Sequence, residues 1–295
     1  MQTRQQHQQE VELILEGHFL KGPWELKLPR GTGNETYFAS CHEQRLFVKL
    51  GVQVDRYRAV ASLGLTPPVL AAGALADGTS IIVQPHIPGK RPARSDYRLH
   101  LEQFASTIRR LHHNSEVKQL LPEARSDSYS VVGSDVLADI RARWELHRSQ
   151  VPEVASFVDE SLAVLKQQVM DLQGSGLVAS HNDICNANWL LAEDGSLYLI
   201  DLDSMSLDDP ALDIGATLWW YYPPELREEF LAMAGYGGDS EFKKRMQVRM
   251  AMHCLNIALP RPGSFDEFES ASFAEWLIDF RAIFAGQENP QGYDD

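Results

Sequence analysis

Between residues 181 and 213 this 295-residue chain sets out an ordered series of polar groups. His181-Asn182-Asp183 comes first, then Asn188 five positions after the aspartate, then Leu199-Ile200-Asp201-Leu202-Asp203 and Asp209-Pro210-Ala211-Leu212-Asp213. Phosphoryl transfer from a nucleotide asks for groups of these kinds: a carboxylate to orient an acceptor hydroxyl and take its proton, and a carboxamide plus a second carboxylate to hold magnesium across the phosphates. Asp183 and Asn188 on a single loop can divide those tasks, the first toward the acceptor and the second toward the metal. Two apolar stretches, Trp189 to Ala192 and Leu197 to Ile200, flank the turn Glu193-Asp194-Gly195, so a strand–turn–strand should return the chain and set Asp201 beside Asn188. A polar surface turn is the plain alternative, but it leaves the order of the set around an apolar hairpin unaccounted for.

The elements that must carry these groups change character along the chain. Trp24 to Leu28 alternates and runs into Pro29-Arg30-Gly31-Thr32-Gly33-Asn34, a glycine-bearing turn. Thr36 to Ala39 and Leu46 to Leu50 read as a hairpin rich in aromatic and β-branched residues. Val54 to Leu63 has helical spacing and stops near Gly64. Val69 to Ala74, the turn Ala76-Asp77-Gly78, and Ser80 to Gln84 make a second hairpin. Pro85 to Pro92, with three prolines and a glycine, reads as a hinge. Helices then dominate. One amphipathic helix is expected from near Ser95, with Leu101, Phe104, Ala105, Ile108, Leu111 and His112 on one face. Others are expected over Val154 to Leu172 and Met246 to Leu259. The outline is α+β: a small antiparallel β lobe over 1–86, then a larger helical lobe over 87–295 holding one hairpin.

Composition excludes several classes. Apolar residues at 44% and charged residues at 23% describe an ordinary globular chain. No apolar run reaches the roughly 20 residues of a membrane-spanning helix, and the Gln-rich N-terminus lacks a secretory signal's apolar core. Cys41, Cys185 and Cys254 form no CxxC pair, which argues against a disulfide framework and suits a reducing cytoplasm. The net charge of −14 has the wrong sign for a general nucleic-acid binder. Residues 1–92 hold 10 basic and 8 acidic residues, whereas the remaining 203 hold 17 basic and 33 acidic. The first part can face phosphates, and the rest attracts cations.

His181-Asn182-Asp183 to Asn188, Ile200-Asp201-Leu202-Asp203 and Asp209 to Asp213 resemble the aminoglycoside phosphotransferase and choline kinase-like superfamily, over most of the chain. That resemblance implies a protein kinase-like two-lobed fold, ATP as co-substrate and Mg2+ as cofactor. It implies that Asp183 is the catalytic base, that Asn188 and Asp201 bind magnesium, that Asp203 assists with metal or substrate, and that His181 and Asp213 hold the loop. Leu46-Phe47-Val48-Lys49 is similar to the strand whose lysine reaches the nucleotide phosphates. Arg30 to Tyr37 is similar to the phosphate-covering loop, in which Gly31 and Gly33 let backbone N–H groups approach oxygens; an ordinary hairpin turn explains Gly-x-Gly equally well. Ile81 to Gly89 resembles the interlobe strand, which gives adenine the Pro85 carbonyl and the Ile87 N–H, although a proline-rich linker without ligand fits the same residues. One departure stands out. Kinases of this shape pair the lysine with a glutamate on the following helix, and Val52-Gln53-Val54-Asp55-Arg56-Tyr57 has none, leaving Asp55 as the nearest carboxylate.

The expected activity is transfer of the γ-phosphoryl group to a hydroxyl of a small cationic molecule, aminoglycoside-like or choline/ethanolamine-like. Trp219-Trp220-Tyr221-Tyr222 offers faces for a quaternary ammonium, although core packing is the favoured reading of such a cluster. The competing class is a non-catalytic nucleotide-binding switch, supported by the missing glutamate. A protein kinase is disfavoured by the lack of D-F-G and A-P-E segments.

Overall fold

The computed structural model describes residues 4–29, 35–237, 239–262 and 267–295. Gly31 and Gly33 lie outside them. The chain forms two compact units, Met1–Arg91 with Asn188–Asp203, and Pro92–Ala187 with Ser204–Asp295.

The first unit opens with α1 (Arg4–His18), in which Val11 and Leu15, one helical turn apart, are the buried positions. Then come β1 (Glu25–Lys27), β2 (Thr36–Cys41), β3 (Gln44–Leu50), α2 (Val54–Ser62), β4 (Ala71–Ala74), β5 (Ser80–Pro85) and the short β6 (Gly89–Lys90). β1 to β5 make one antiparallel sheet in the order β1-β2-β3-β5-β4. Tyr37, Ala39, Val48, Leu50, Ile81 and Val83 join Val11 and Leu15 of α1 in a single core. Because side chains alternate along a strand, Lys49 between Val48 and Leu50 faces away from that core, yet it is only 5% exposed. Its register partners are Thr36 on β2 and Ile82 on β5.

The second unit takes over with α3 (Arg94–Leu99), α4 (Leu101–His112), α5 (Ser115–Gln119), α6 (Tyr129–His147), α7 (Pro152–Met170) and β7 (Val178–Ser180). The single helix expected from near Ser95 is therefore two, broken at His100. The break sets the Tyr97 ring in a stack with both Phe104, 4.2 Å away, and Tyr221, 4.0 Å away. The chain then returns to the first unit for the hairpin β8 (Trp189–Ala192) and β9 (Leu197–Leu199). β6 pairs with β8 through Gly89 opposite Ala192. A Cβ on Gly89 would lie 2.5 Å from the Leu191 carbonyl oxygen, so the approach requires glycine.

β10 (Ser206–Asp208), paired antiparallel with β7, and helices α8 (Ala211–Tyr221), α9 (Pro224–Ala234), α10 (Ser240–Ala258) and α11 (Ser270–Phe284) complete the second unit. Its core runs through Trp144, Leu165, Leu255, Phe273 and Phe280. The architecture is the expected one, an antiparallel sheet in the N-terminal region and helices after it. Among the described residues no helix is long and apolar enough to cross a membrane.

Candidate active site

In the first unit the decisive contact joins residues 152 positions apart. Lys49 Nζ donates to Asp201 Oδ1 at 2.6 Å and lies 2.8 Å from Asp203 Oδ2. The lysine side chain is 7% exposed, whereas that of Asp201 is 52% exposed and free to meet a ligand from solvent. Burial by itself would depress the Lys49 ammonium; its neighbours Tyr57, Asp201 and Asp203 overcome that and hold its pKa above the ordinary lysine value. Lys49 is thus a fixed positive charge on the face of the sheet opposite the core.

Asn188 and Asp201 reach their places through the β8–β9 hairpin. Trp189 pairs with Leu199, and the Ile200 N–H donates to the Asn188 carbonyl at 2.9 Å, so the two candidate metal ligands sit at the same open end of the ladder. The Leu199 N–H donates to the Leu65 carbonyl at 2.7 Å, which ties the hairpin to the segment after α2. Among the described residues no three His, Cys, Asp or Glu side chains gather in a metal-holding group. One carboxamide oxygen and one carboxylate nevertheless suit magnesium, a hard cation that keeps several waters and takes the rest of its shell from substrate phosphates. Pro85 ends β5 and Ile87 follows it in the connector, both half-buried.

Asp55 is not the partner of Lys49. It is an exposed residue facing Arg58 at 3.7 Å. The partner on α2 is Tyr57, whose hydroxyl accepts from Lys49 Nζ at 3.1 Å, and sequence reasoning missed it because it looked for a carboxylate.

In the second unit Asp213, at the start of α8, holds the loop that carries Asp183. Its Oδ2 accepts the His181 N–H at 2.7 Å and faces His112 Nε2 at 3.0 Å, and its Oδ1 accepts the Asn182 N–H at 2.9 Å. Burial would lift this carboxyl, but the bond and charge of His112, followed by His181, bring it below the usual aspartate value. Asn182 sits in the left-handed region at φ 64°, a conformation asparagine tolerates, and its Nδ2 donates to Ser206 Oγ at 2.7 Å. Asp183 follows it in the loop, half-buried. His181 is fully buried. Two arginines of α10 brace the segment after the hairpin: Arg249 is 2.7 Å from both Asp208 oxygens, and Arg245 is 3.2 Å from Asp209 Oδ2.

Of the aromatic run, Trp219, Tyr221 and Tyr222 are buried, in keeping with core packing. Trp220 differs. Its ring is 5.9 Å from that of His253 and 6.1 Å from that of Trp276, and its Nε1 donates to Asp279 Oδ2 at 3.2 Å. The other oxygen of Asp279 is buried without a hydrogen-bond partner among the described residues. Burial raises the Asp279 pKa against the bond from Trp220. His253, pushed down to about 4 by burial, also feels the charge of Asp183. Nothing in the local sequence around Trp276 and Asp279 announces this corner, because its members come from three helices.

Comparison with known proteins agrees with this architecture. The model of the APH family, described as "Phosphotransferase enzyme family", matches residues 24–245. The spectinomycin phosphotransferase APH(9)-Ia, solved with ADP and spectinomycin, superposes with a TM-score of 0.63 at 16% identity, over 97% of this chain and 95% of that one. The choline kinase LicA from Streptococcus pneumoniae gives 0.65 at 15%, over 94% and 99%. The GDP and kanamycin complex of APH(2'')-IIIa gives 0.66 at 13%, over 94% and 98%. At such identities the likeness is one of fold.

Proposed function

The chain belongs to this phosphotransferase enzyme family, and from that premise we propose that it transfers the γ-phosphoryl group of ATP to a hydroxyl of a small cationic molecule. The observation that carries the reading is the Lys49–Asp201 pair at 2.6 Å, which joins the lysine suited to the phosphates to the carboxylate suited to the metal. Nucleotide binding is assigned to residues 1–86, with the Pro85 carbonyl and the Ile87 N–H toward adenine and Gly31 and Gly33 toward the phosphates. Catalysis and acceptor binding are assigned to residues 87–295, the β8–β9 hairpin of that range being carried in the first compact unit.

Asp183 takes the hydroxyl proton while the acceptor oxygen attacks the γ-phosphorus and the bond to the β–γ bridging oxygen breaks, ADP leaving. Lys49 binds phosphate oxygens, and His181 and Asp213 keep the loop in register. Asn188 and Asp201, with Asp203 in support, would hold Mg2+, which when bound neutralises charge on the phosphates. The cationic acceptor is supported by the acidic excess of residues 93–295 and by the Trp220, Trp276 and Asp279 corner, where half-exposed indoles flank a buried carboxylate with one oxygen lacking a hydrogen-bond partner among the described residues. The free cysteines fit a cytoplasmic setting.

One observation favours a non-catalytic nucleotide-binding switch instead: Lys49 meets a phenol on α2 where kinases of this shape carry a carboxylate. ADP release with Mg-ATP across a panel of aminoglycosides, choline, ethanolamine and neutral sugar alcohols separates the two readings, with Asp183→Asn as the blank. Turnover with a cationic alcohol that falls at least about a thousandfold in Asp183→Asn, with ATP affinity kept within about threefold, is the expected result. ATP binding without turnover on the whole panel would favour the switch.

A further inference from the structure

The tyrosine on α2 does more than stand beside Lys49. Its hydroxyl is 3.1 Å from Lys49 Nζ, 3.2 Å from the Leu202 backbone nitrogen and 3.4 Å from Asp203 Oδ1. A phenol oxygen has two lone pairs and one proton, and these three contacts use all of them: it accepts from the ammonium and from the Leu202 N–H, and donates to Asp203. The preceding residue, Arg56, donates Nη1 to the carbonyls of Leu202 at 3.0 Å and Asp203 at 3.2 Å. Both side chains are buried. What they grip is the segment that follows Asp201, a residue whose φ of 60° is in the left-handed region. The Leu202 N–H belongs to the peptide unit that leaves Asp201, so fixing it fixes the backbone from which the Asp201 carboxylate springs.

We propose that Arg56 and Tyr57 form a clamp that positions Asp201 and Lys49 for the metal–nucleotide complex, with the Tyr57 hydroxyl as its centre. The proposal rests on the phosphotransferase reading and deepens it. A carboxylate at position 57 could hold Lys49, but it has no proton to give Asp203 and would add a third negative charge beside Asp201 and Asp203. A neutral phenol keeps the lysine in place without adding to the two carboxylates, Asp201 and Asp203, that it already meets. The chain therefore replaces the usual helix-borne ion pair with a hydrogen-bonded relay through the backbone of Leu202. Tyr57 and Arg56 are positioning residues, acting through Lys49 and Asp201.

The test is Tyr57→Phe in the full chain, which keeps the ring and its place 5.7 Å under Lys49 Nζ and removes only the hydroxyl. Hydrogen exchange in the ligand-free protein should show the Leu202 amide at least about tenfold faster while the β3 amides stay as in the wild type. The Kd for Mg-ATP and the Mg2+ concentration for half-maximal binding should each rise about tenfold. Tyr57→Glu should bind Mg-ATP more weakly than Tyr57→Phe. Wild-type affinity in Tyr57→Phe, or affinity restored by Tyr57→Glu, would overturn the clamp. So would a uniform rise in exchange at Leu202 and β3, which would make Tyr57 a contributor to stability alone. A wild-type protein that fails to bind Mg-ATP would remove the phosphotransferase reading and the positioning role with it, whereas Leu202 exchange reports the hydrogen bond by itself.

Discussion

Asp213 has no surface with which to meet a substrate; both its oxygens are engaged with His112 and with the amides of His181 and Asn182. Its influence on chemistry can act only through the loop that presents Asp183. Replacing it by asparagine puts an NH2 group against groups that already donate and removes a charge facing His112. Asp213→Asn should lower stability by about 2–3 kcal/mol and cut kcat far more than it raises the Kd of ATP. Denaturant unfolding and a binding titration check the two halves separately. A variant with wild-type kcat would show that the loop keeps its shape without the carboxylate.

At the scale of elements, the docking of α1 is open to pH. His7 on that helix places Nδ1 2.7 Å from Glu35 Oε2 and Nε2 3.1 Å from Asp77 Oδ2, and the bonds to Glu35 and then Asp77 raise its pKa above 6.5. A raised histidine contributes fully below the unfolded value and its contribution is lost as pH rises through the folded one. Exchange of α1 amides, corrected for the intrinsic pH effect, should therefore speed up from pH 6.5 to 8.5, and His7→Gln should flatten that change. How well elements could be read from sequence followed how local their causes are. The hairpins β2–β3 and β8–β9 and the helix α10 carry their periodicity in their own residues. The break at His100 does not, because it serves the stacking of Tyr97 on Tyr221, a ring far along the chain. β7 and β10, three residues each, draw their reason from each other. In the candidate site, type and spacing singled out Asp183, Asn188 and Asp201, the family resemblance added Lys49, and the structure brings Lys49 to Asp201. Tyr57 was not legible, since a phenol doing a carboxylate's work has no spacing that sets it apart from a core tyrosine, and Asp279 needed α8 and α11 brought together.

For the molecule as a whole, two effects of charge are expected. His253 is neutral in its buried site with a pKa pushed down to about 4, so the unfolded chain binds its proton first as pH falls below 6.5. Stability should drop by on the order of 3 kcal/mol between pH 7 and pH 4 on this account, and His253→Gln should remove that part of the slope. Melting curves across that range decide it. The second concerns capture: with a net charge of −14, KM for a cationic acceptor should rise with ionic strength, and a salt-independent value would count against electrostatic capture. The makeup of the first unit, Met1–Arg91 plus Asn188–Asp203, bears on how the protein comes into being. Lys49 is buried between carboxylates that the ribosome has yet to make when residue 91 is joined. At a synthesis rate of about 5–20 residues per second, those partners arrive roughly 5 to 20 s later. Until then the nascent sheet holds a cation without its counterions and lacks the strand that pairs with Gly89. The first unit cannot be finished until residue 203 has been added, 112 residues after Arg91, so its assembly waits on chain made well after its own sheet.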